Sequence, residues 1–382
     1  MSTSIKTAHP IILIASLILC GFSATAASSQ TSPTVKLITD HGCVRDWSAL
    51  TNRLLMDERD ANGIYQVYTL NADGSDMRAI TGTAASGGPA ANRHKGFAHF
   101  DPTGRYIVME AELAERLVGN SAAVQKAVGP GSGVWMDLWV VTSDGRHWTN
   151  LTNFTTEKLT GALSPYFSPD GRHIVYARLT GKADRKRTFG YFELHVADFS
   201  DQGGPHLSND RMLLGNDGVY EPHGFSRDGT KILFSSDRGL ANTMGLDLWE
   251  YDFKTNQVRN LTNSPEQYDE HARYSPDGSR LAWGSSLGIA SYRTNLKTLV
   301  SDAYLMKVDG SGKPQRLTHF NEAGFPESTA LQSGIWPTTW SPDGTQLVVA
   351  QQPIGDLMSG KQSTNKSWLV NLSPSKPPSK DH

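Results

Sequence analysis

The sequence predicts an all-β chain folded as a β-propeller, with six blades of four short strands each. Three observations carry that reading. First, a phrase recurs at intervals of about 50 to 65 residues. Its copies are Phe100-Asp101-Pro102-Thr103-Gly104, Phe167-Ser168-Pro169-Asp170-Gly171, Phe225-Ser226-Arg227-Asp228-Gly229, Tyr274-Ser275-Pro276-Asp277-Gly278 and Trp340-Ser341-Pro342-Asp343-Gly344. Second, short apolar runs separated by Asp-Gly turn chemistry fill the intervals. Third, a Leu/Ile-Thr pair closes successive units, as Ile80-Thr81, Leu151-Thr152, Leu261-Thr262 and Leu317-Thr318.

From the beginning of the chain, Lys6, the apolar run Ile11 to Leu19 and the small-residue motif Ala24-Thr25-Ala26 predict a secretory signal peptide over residues 1–26. The expected location is therefore periplasmic or secreted. No later segment is apolar for long enough to span a membrane. Past that signal only Cys43 remains, so no internal disulfide is available, and a buried thiol is the expectation. With 382 residues, 38% hydrophobic, the chain can build a large core. A net charge of −2 leaves no electrostatic footprint for nucleic acid.

Residues 35–372 read as a single domain. Thr51 to Thr81 supplies the later strands of a first blade, with its innermost strand near Cys43 to Leu50. The five phrase copies open five more blades. The last blade runs out at its third strand, Ser367 to Asn371. Val35-Lys36-Leu37-Ile38-Thr39 carries the closing signature and is expected to supply the missing outer strand, closing the ring. A seven-bladed ring is the alternative, if insertions hide weak strands. Glu112 to Val128 has helical spacing. Residues 373–382, rich in Pro, Ser and Lys, are expected to be disordered.

The Ser-Pro-Asp-Gly phrase, the apolar strand after it and the Leu-Thr closure resemble the WD40-like repeats of the TolB type (PD40), from Val35 to about Leu372. The resemblance implies the propeller fold. Proteins with such repeats include the periplasmic TolB of the Tol–Pal envelope system, propeller domains of prolyl-oligopeptidase-type enzymes and some polysaccharide lyases. The stretch between Ala27 and the first blade is too short for the α/β domain that precedes the TolB propeller.

Strand direction puts the tight Asp-Gly turns on one face of the ring and the long connections on the other. The loop-rich face is the expected site. Counting back eight residues from each turn glycine gives Gly96, Leu163, Glu221, Glu270 and Trp336, which should ring the channel mouth. The candidate ligand-binding residues are His99, Glu221, His223, Asp269, Glu270, His271 and Arg273. Carboxylates with imidazoles suit a divalent cation, for which Glu221, His223, Glu270 and His271 are the candidates. A solvated polar funnel accounts for the same residues. Strict strand alternation places His99 and His271 on the opposite parity from His223, which argues against a three-histidine cluster. The function expected is a monomeric binding or scaffolding module, free of cofactor or using a divalent cation. It would recognise an envelope protein, a peptide or a glycan through the loop-rich face. The alternative is a carbohydrate-active, polysaccharide lyase-like enzyme with a metal-assisted site at the same mouth.

Overall fold

A computed structural model describes residues 33–372 apart from 83–87, 90–91, 114–127, 156–158, 216, 242–243, 291, 293–298, 330–331 and 355–364. The expected signal peptide, most of the expected helical insertion and the expected C-terminal tail lie outside the described residues. Six four-stranded antiparallel sheets follow one another in chain order. The described chain begins with β1 (Thr34–Thr39). Blade 1 is β2 (Cys43–Trp47), β3 (Arg53–Arg59), β4 (Tyr65–Asn71) and β5 (Arg78–Ala79). Blade 2 is β6 (Lys95–Phe100), β7 (Tyr106–Glu112), β8 (Met136–Thr142) and β9 (Trp148–Asn150). Blade 3 is β10 (Ala162–Phe167), β11 (His173–Gly181), β12 (Tyr191–Ser200) and β13 (His206–Leu214). Blade 4 is β14 (Tyr220–Phe225), β15 (Lys231–Ser236), β16 (Asp247–Asp252) and β17 (Gln257–Asn260). Blade 5 is β18 (Asp269–Tyr274), β19 (Arg280–Ser285), β20 (Asp302–Lys307) and β21 (Gln315–Arg316). Blade 6 is β22 (Ser333–Trp340), β23 (Gln346–Pro353) and β24 (Lys366–Asn371). β1 completes it, pairing antiparallel with β24 from Thr34–Asn371 to Thr39–Ser367. Contacts between β2 and β22 close the ring.

The repeated phrase builds the turn between the first two strands of its blade. Its glycines hold φ between +69° and +75°, a conformation that costs a side chain and suits glycine. In four copies the serine hydroxyl donates to the aspartate two residues on, at 2.5–2.6 Å. A sixth copy is present in blade 1 without Asp-Gly. Trp47 pairs with Leu54 as Phe100 pairs with Ile107, and Asn52, one residue beyond the glycine's place, takes the left-handed conformation at φ +55°. The aromatics of the phrase pack into apolar clusters that cross the seams between blades. One joins Leu55 and Val67 of blade 1 to Ile107 and Met109 of blade 2, with Phe100 against it. Another joins Ala282 and Ala303 of blade 5 to Trp340 and Val349 of blade 6.

The Leu/Ile-Thr signature follows the outer strand, beginning one residue past its end. The threonine hydroxyl takes the amide hydrogen of the third strand: Val67 to Thr81, Leu138 to Thr152, Leu248 to Thr262 and Ala303 to Thr318, at 2.9–3.0 Å. It donates in turn to Asp137, Asp247 or Asp302, and in blade 1 to Gln66. Each of these threonines thus satisfies a backbone donor and a side-chain acceptor, an acid in three blades and Gln66 in blade 1, where the outer strand leaves the sheet.

Candidate functional site at the ring axis

Every innermost strand breaks register at one place. The shifts fall between Val44 and Asp46, Gly96 and His99, Leu163 and Tyr166, Pro222 and Gly224, Glu270 and Arg273, and Trp336 and Thr338. Phe97, Ser164 and His271 sit in these bulges at φ +51°, +53° and +57°. Blade 4 has Pro222 at the equivalent position, whose φ is fixed negative, and Gly224 takes the positive φ instead, +107°. A bulge turns two consecutive residues toward one side. Strict alternation therefore fails here, and the His223 and His271 rings lie 6.1 Å apart; among the described residues the cation-competent cluster includes His271 and neither His99 nor His223.

The loop-rich end of the axis holds a cavity of about 280 Å³. Its walls include Leu163, Phe189, Phe192, Tyr268, Ile335 and Trp336, and its polar groups are led by Glu221, Glu270 and His271. All three polar residues are buried. Ser164 Oγ donates to Glu221 Oε1 at 2.7 Å, and the Tyr268 hydroxyl donates to Glu270. His271 Nε2 lies 2.9 Å from Glu270 Oε2, and the His271 ring packs 5.0 Å from that of Trp336. One ligand atom from each of Glu221, Glu270 and His271 falls within 4.8 Å of the others. That donor set fits a divalent cation, with the imidazole favouring a transition metal over calcium.

Burial, reinforced at Glu221 by the charge of Glu270, pushes both carboxyls up to about 8. Two adjacent carboxylates in a desolvated site cannot both ionise without a cation, so the pair keeps a shared proton into the neutral range. Burial also pulls His271 down to about 4, leaving its imidazole neutral. Glu110, held by the amides of Ser164 and Gly131 at 2.9 and 3.0 Å, is likewise raised to about 8 by burial.

The other end of the axis is chemically different. Asp46, His99, Tyr166, Gly224, Arg273 and Thr339 occupy one register position, one per blade. Arg273 reaches from blade 5 to His99 on the opposite blade 2, with Nη2 3.0 Å from His99 Nδ1. It also donates to the carbonyls of His223 and Thr338 at 3.2 and 3.3 Å and lies 4.1 Å from the centroid of the Tyr166 ring. A cavity of about 230 Å³ opens here toward the short turns, and it shares no lining residue with the first.

The seven candidates from the sequence are therefore divided. Glu221, Glu270 and His271 line the loop-rich cavity, whereas His99, His223 and Arg273 line the opposite one. His223 Nε2 pairs with Ser235 Oγ at 2.6 Å, and the cation-competent cluster does not include it. Asp269 turns into its own blade, accepting from Trp283 Nε1 at 2.9 Å and from the Ser264 hydroxyl. Gly284-Ser285-Ser286-Leu287-Gly288 has the Gly-x-Ser-x-Gly spacing of a hydrolase elbow. Ser286 is buried, however, accepts from the Tyr268 amide and donates to Gln267, with no strand-to-helix turn at it among the described residues. Phe189 and Phe192, from the connection after β11 and the start of β12, had no repeat-based signal; Trp336 and Ser164 lie at or next to the ruler positions.

No family model matches the chain. TolB from Acinetobacter baumannii matches with a TM-score of 0.52 at 15% identity, over 84% of this chain and 63% of that one. The fold is a TolB-like propeller. This chain spans 63% of the length of that TolB. A putative TolB from Agrobacterium tumefaciens gives 0.48 at 19% identity, covering 75% and 76% of the two chains. An oligogalacturonate lyase in complex with manganese gives 0.49 at 13% identity, covering 91% and 94%. These last two scores are too low to bear on the site. In this TolB-like ring the two axial cavities and their chemistry rest on the chain's own residues.

Proposed function

We propose that this protein is a periplasmic or secreted, monomeric binding module. It takes a basic group of a protein or peptide, most simply a free amino terminus, into the loop-rich axial cavity. The observation that carries this reading is the composition of that cavity: a carboxylate pair, Glu221 and Glu270, in a wall that includes the aromatic residues Trp336, Tyr268, Phe189 and Phe192. A buried acid pair that must hold a proton or a cation is completed by an ammonium group. Aromatic faces attract the same charge, and the apolar wall accepts the adjoining side chain. Most hydroxyls of a glycan would find no hydrogen-bond partner on this wall. Binding of this kind needs no covalent chemistry. The test is a panel of short peptides presented to the purified protein with free and with acetylated amino termini. Binding restricted to the free-amine set is expected. Equal binding of both sets, or binding of neither, would overturn the reading.

A second reading is supported by the proximity of Glu221, Glu270 and His271, whose ligand atoms lie within 4.8 Å. These residues would hold a divalent cation, which would supply Lewis-acid chemistry for a lyase-like reaction on a glycan. Elemental analysis separates the two. Stoichiometric metal, lost in His271→Ala, would favour the enzyme reading, and metal-free protein that binds amines would favour the module.

A further inference from the structure

The cavity at the short-turn end is rich in hydrogen-bond donors that the fold leaves unused. Arg273 makes three described hydrogen bonds, to two carbonyls and one imidazole nitrogen, and none to a carboxylate. A guanidinium carries five N–H groups, so two remain. Because the guanidinium can only donate, His99 Nδ1 must accept, which puts the imidazole hydrogen on Nε2. That Nε2 is buried and has no partner among the described residues. His99 itself is only 1% exposed. Arg273 is fixed from below by the Tyr166 ring and from the sides by the His223 and Thr338 carbonyls. Gly224 makes room for it: a Cβ there would stand 3.2 Å from Arg273 Nη1. A half-buried guanidinium held this way, with no carboxylate among its described hydrogen-bond partners, is prepared for a planar anion.

The walls narrow the choice of anion. Asp46 lines the same cavity, its Oδ2 accepting from the Phe100 amide at 2.9 Å and lying 3.7 Å from His99 Nδ1. Its negative charge opposes a dianion such as phosphate. Four aromatics of the repeated phrase, Phe100, Phe167, Phe225 and Tyr274, form the rim. A cavity of about 230 Å³ admits a ligand about the size of one amino-acid residue. We propose that the short-turn end of the axis is a second binding site, for a monocarboxylate with an apolar or aromatic body. The same chemistry is offered by a free small acid and by the carboxyl terminus of a chain. Arg273 would grip the carboxylate and the aromatic rim would cover the rest. This site is independent of the amine site at the other end.

The experiment is a calorimetric titration of the unaltered protein with N-acetylphenylalanine and, in parallel, with its amide, which has the same shape without the charge. Saturable binding of the acid, and binding of the amide weaker by at least about tenfold, is expected. Arg273→Met should abolish the difference, with a thermal melt confirming that the variant folds. If that variant does not fold, the acid–amide comparison on the unaltered chain decides alone. Peptides ending in phenylalanine, with free and amidated carboxyl termini, distinguish the sources: binding of the free-ended peptides assigns a chain terminus, and binding of only the small acid assigns a metabolite-sized ligand. Equal binding of acid and amide, tighter binding of inorganic phosphate than of the acid, or no binding of either up to about 10 mM would overturn the proposal.

Discussion

Burying the Glu221 and Glu270 carboxyls is costly, and the cost depends on pH. Their pKa values, up to about 8 in the folded protein, lie above those of an unfolded glutamate. Between about pH 4.5 and 8 the folded state therefore holds protons that the unfolded chain releases, so stability falls as pH rises through that window and levels off above it. Glu270→Gln removes one of these groups and should flatten the fall. Thermal melts at about pH 5, 7 and 9 check this, with the unaltered chain losing several degrees more than the variant over the range. Parallel curves would count against the buried pair. Both glutamates were legible in the sequence because a repeat ruler finds equivalent positions without knowing the backbone. His271 was named among the candidates as well, but its strand parity was misassigned: alternation assumes a regular strand, and a histidine at φ +57° leaves no glycine to announce the bulge. Asp269 was grouped with the site by its nearness in sequence, yet it is committed to Trp283 and Ser264 inside the blade.

At the level of the element, the threonine that follows the outer strand in blades 1, 2, 4 and 5 is a structural part with a measurable worth. Thr262 Oγ1 accepts from the Leu248 amide at 3.0 Å and donates to Asp247 Oδ1 at 3.1 Å. Thr262→Val keeps the shape and leaves both partners short of a hydrogen bond. The expected destabilisation is about 1–3 kcal/mol, read from urea unfolding. A variant as stable as the parent would show that the signature is only a turn preference. The strands themselves were readable, because turn chemistry and apolar runs mark them directly. The sixth copy of the phrase was hidden because Asn52 does the work of glycine and the aspartate is missing. The acids Asp137, Asp247 and Asp302 were equally hard to single out, since a lone acid at the start of a strand has no contrast against other polar residues.

At the level of the molecule, the ring is closed by strands from the two ends of the domain. Five register pairs join β1 to β24, from Thr34–Asn371 to Thr39–Ser367. A protein beginning at Cys43 would leave β24 as an open edge, an unpaired template for another chain. It should unfold at lower urea concentration and form dimers or larger species by size exclusion. A monomer of unchanged stability would mean that the closure contributes little. The same ring holds two axial cavities of opposite chemistry, separated in their linings, and the loop-rich one carries the proposed function. The measurement that bears most directly on that claim is calorimetry of the tightest free-amine peptide against the unaltered protein and the Glu221→Gln, Glu270→Gln double variant, in buffers of different ionisation heat. The account predicts proton release on binding near pH 7 and an affinity loss of at least about tenfold in the variant. Equal affinity in the two proteins, with no proton released, would contradict it.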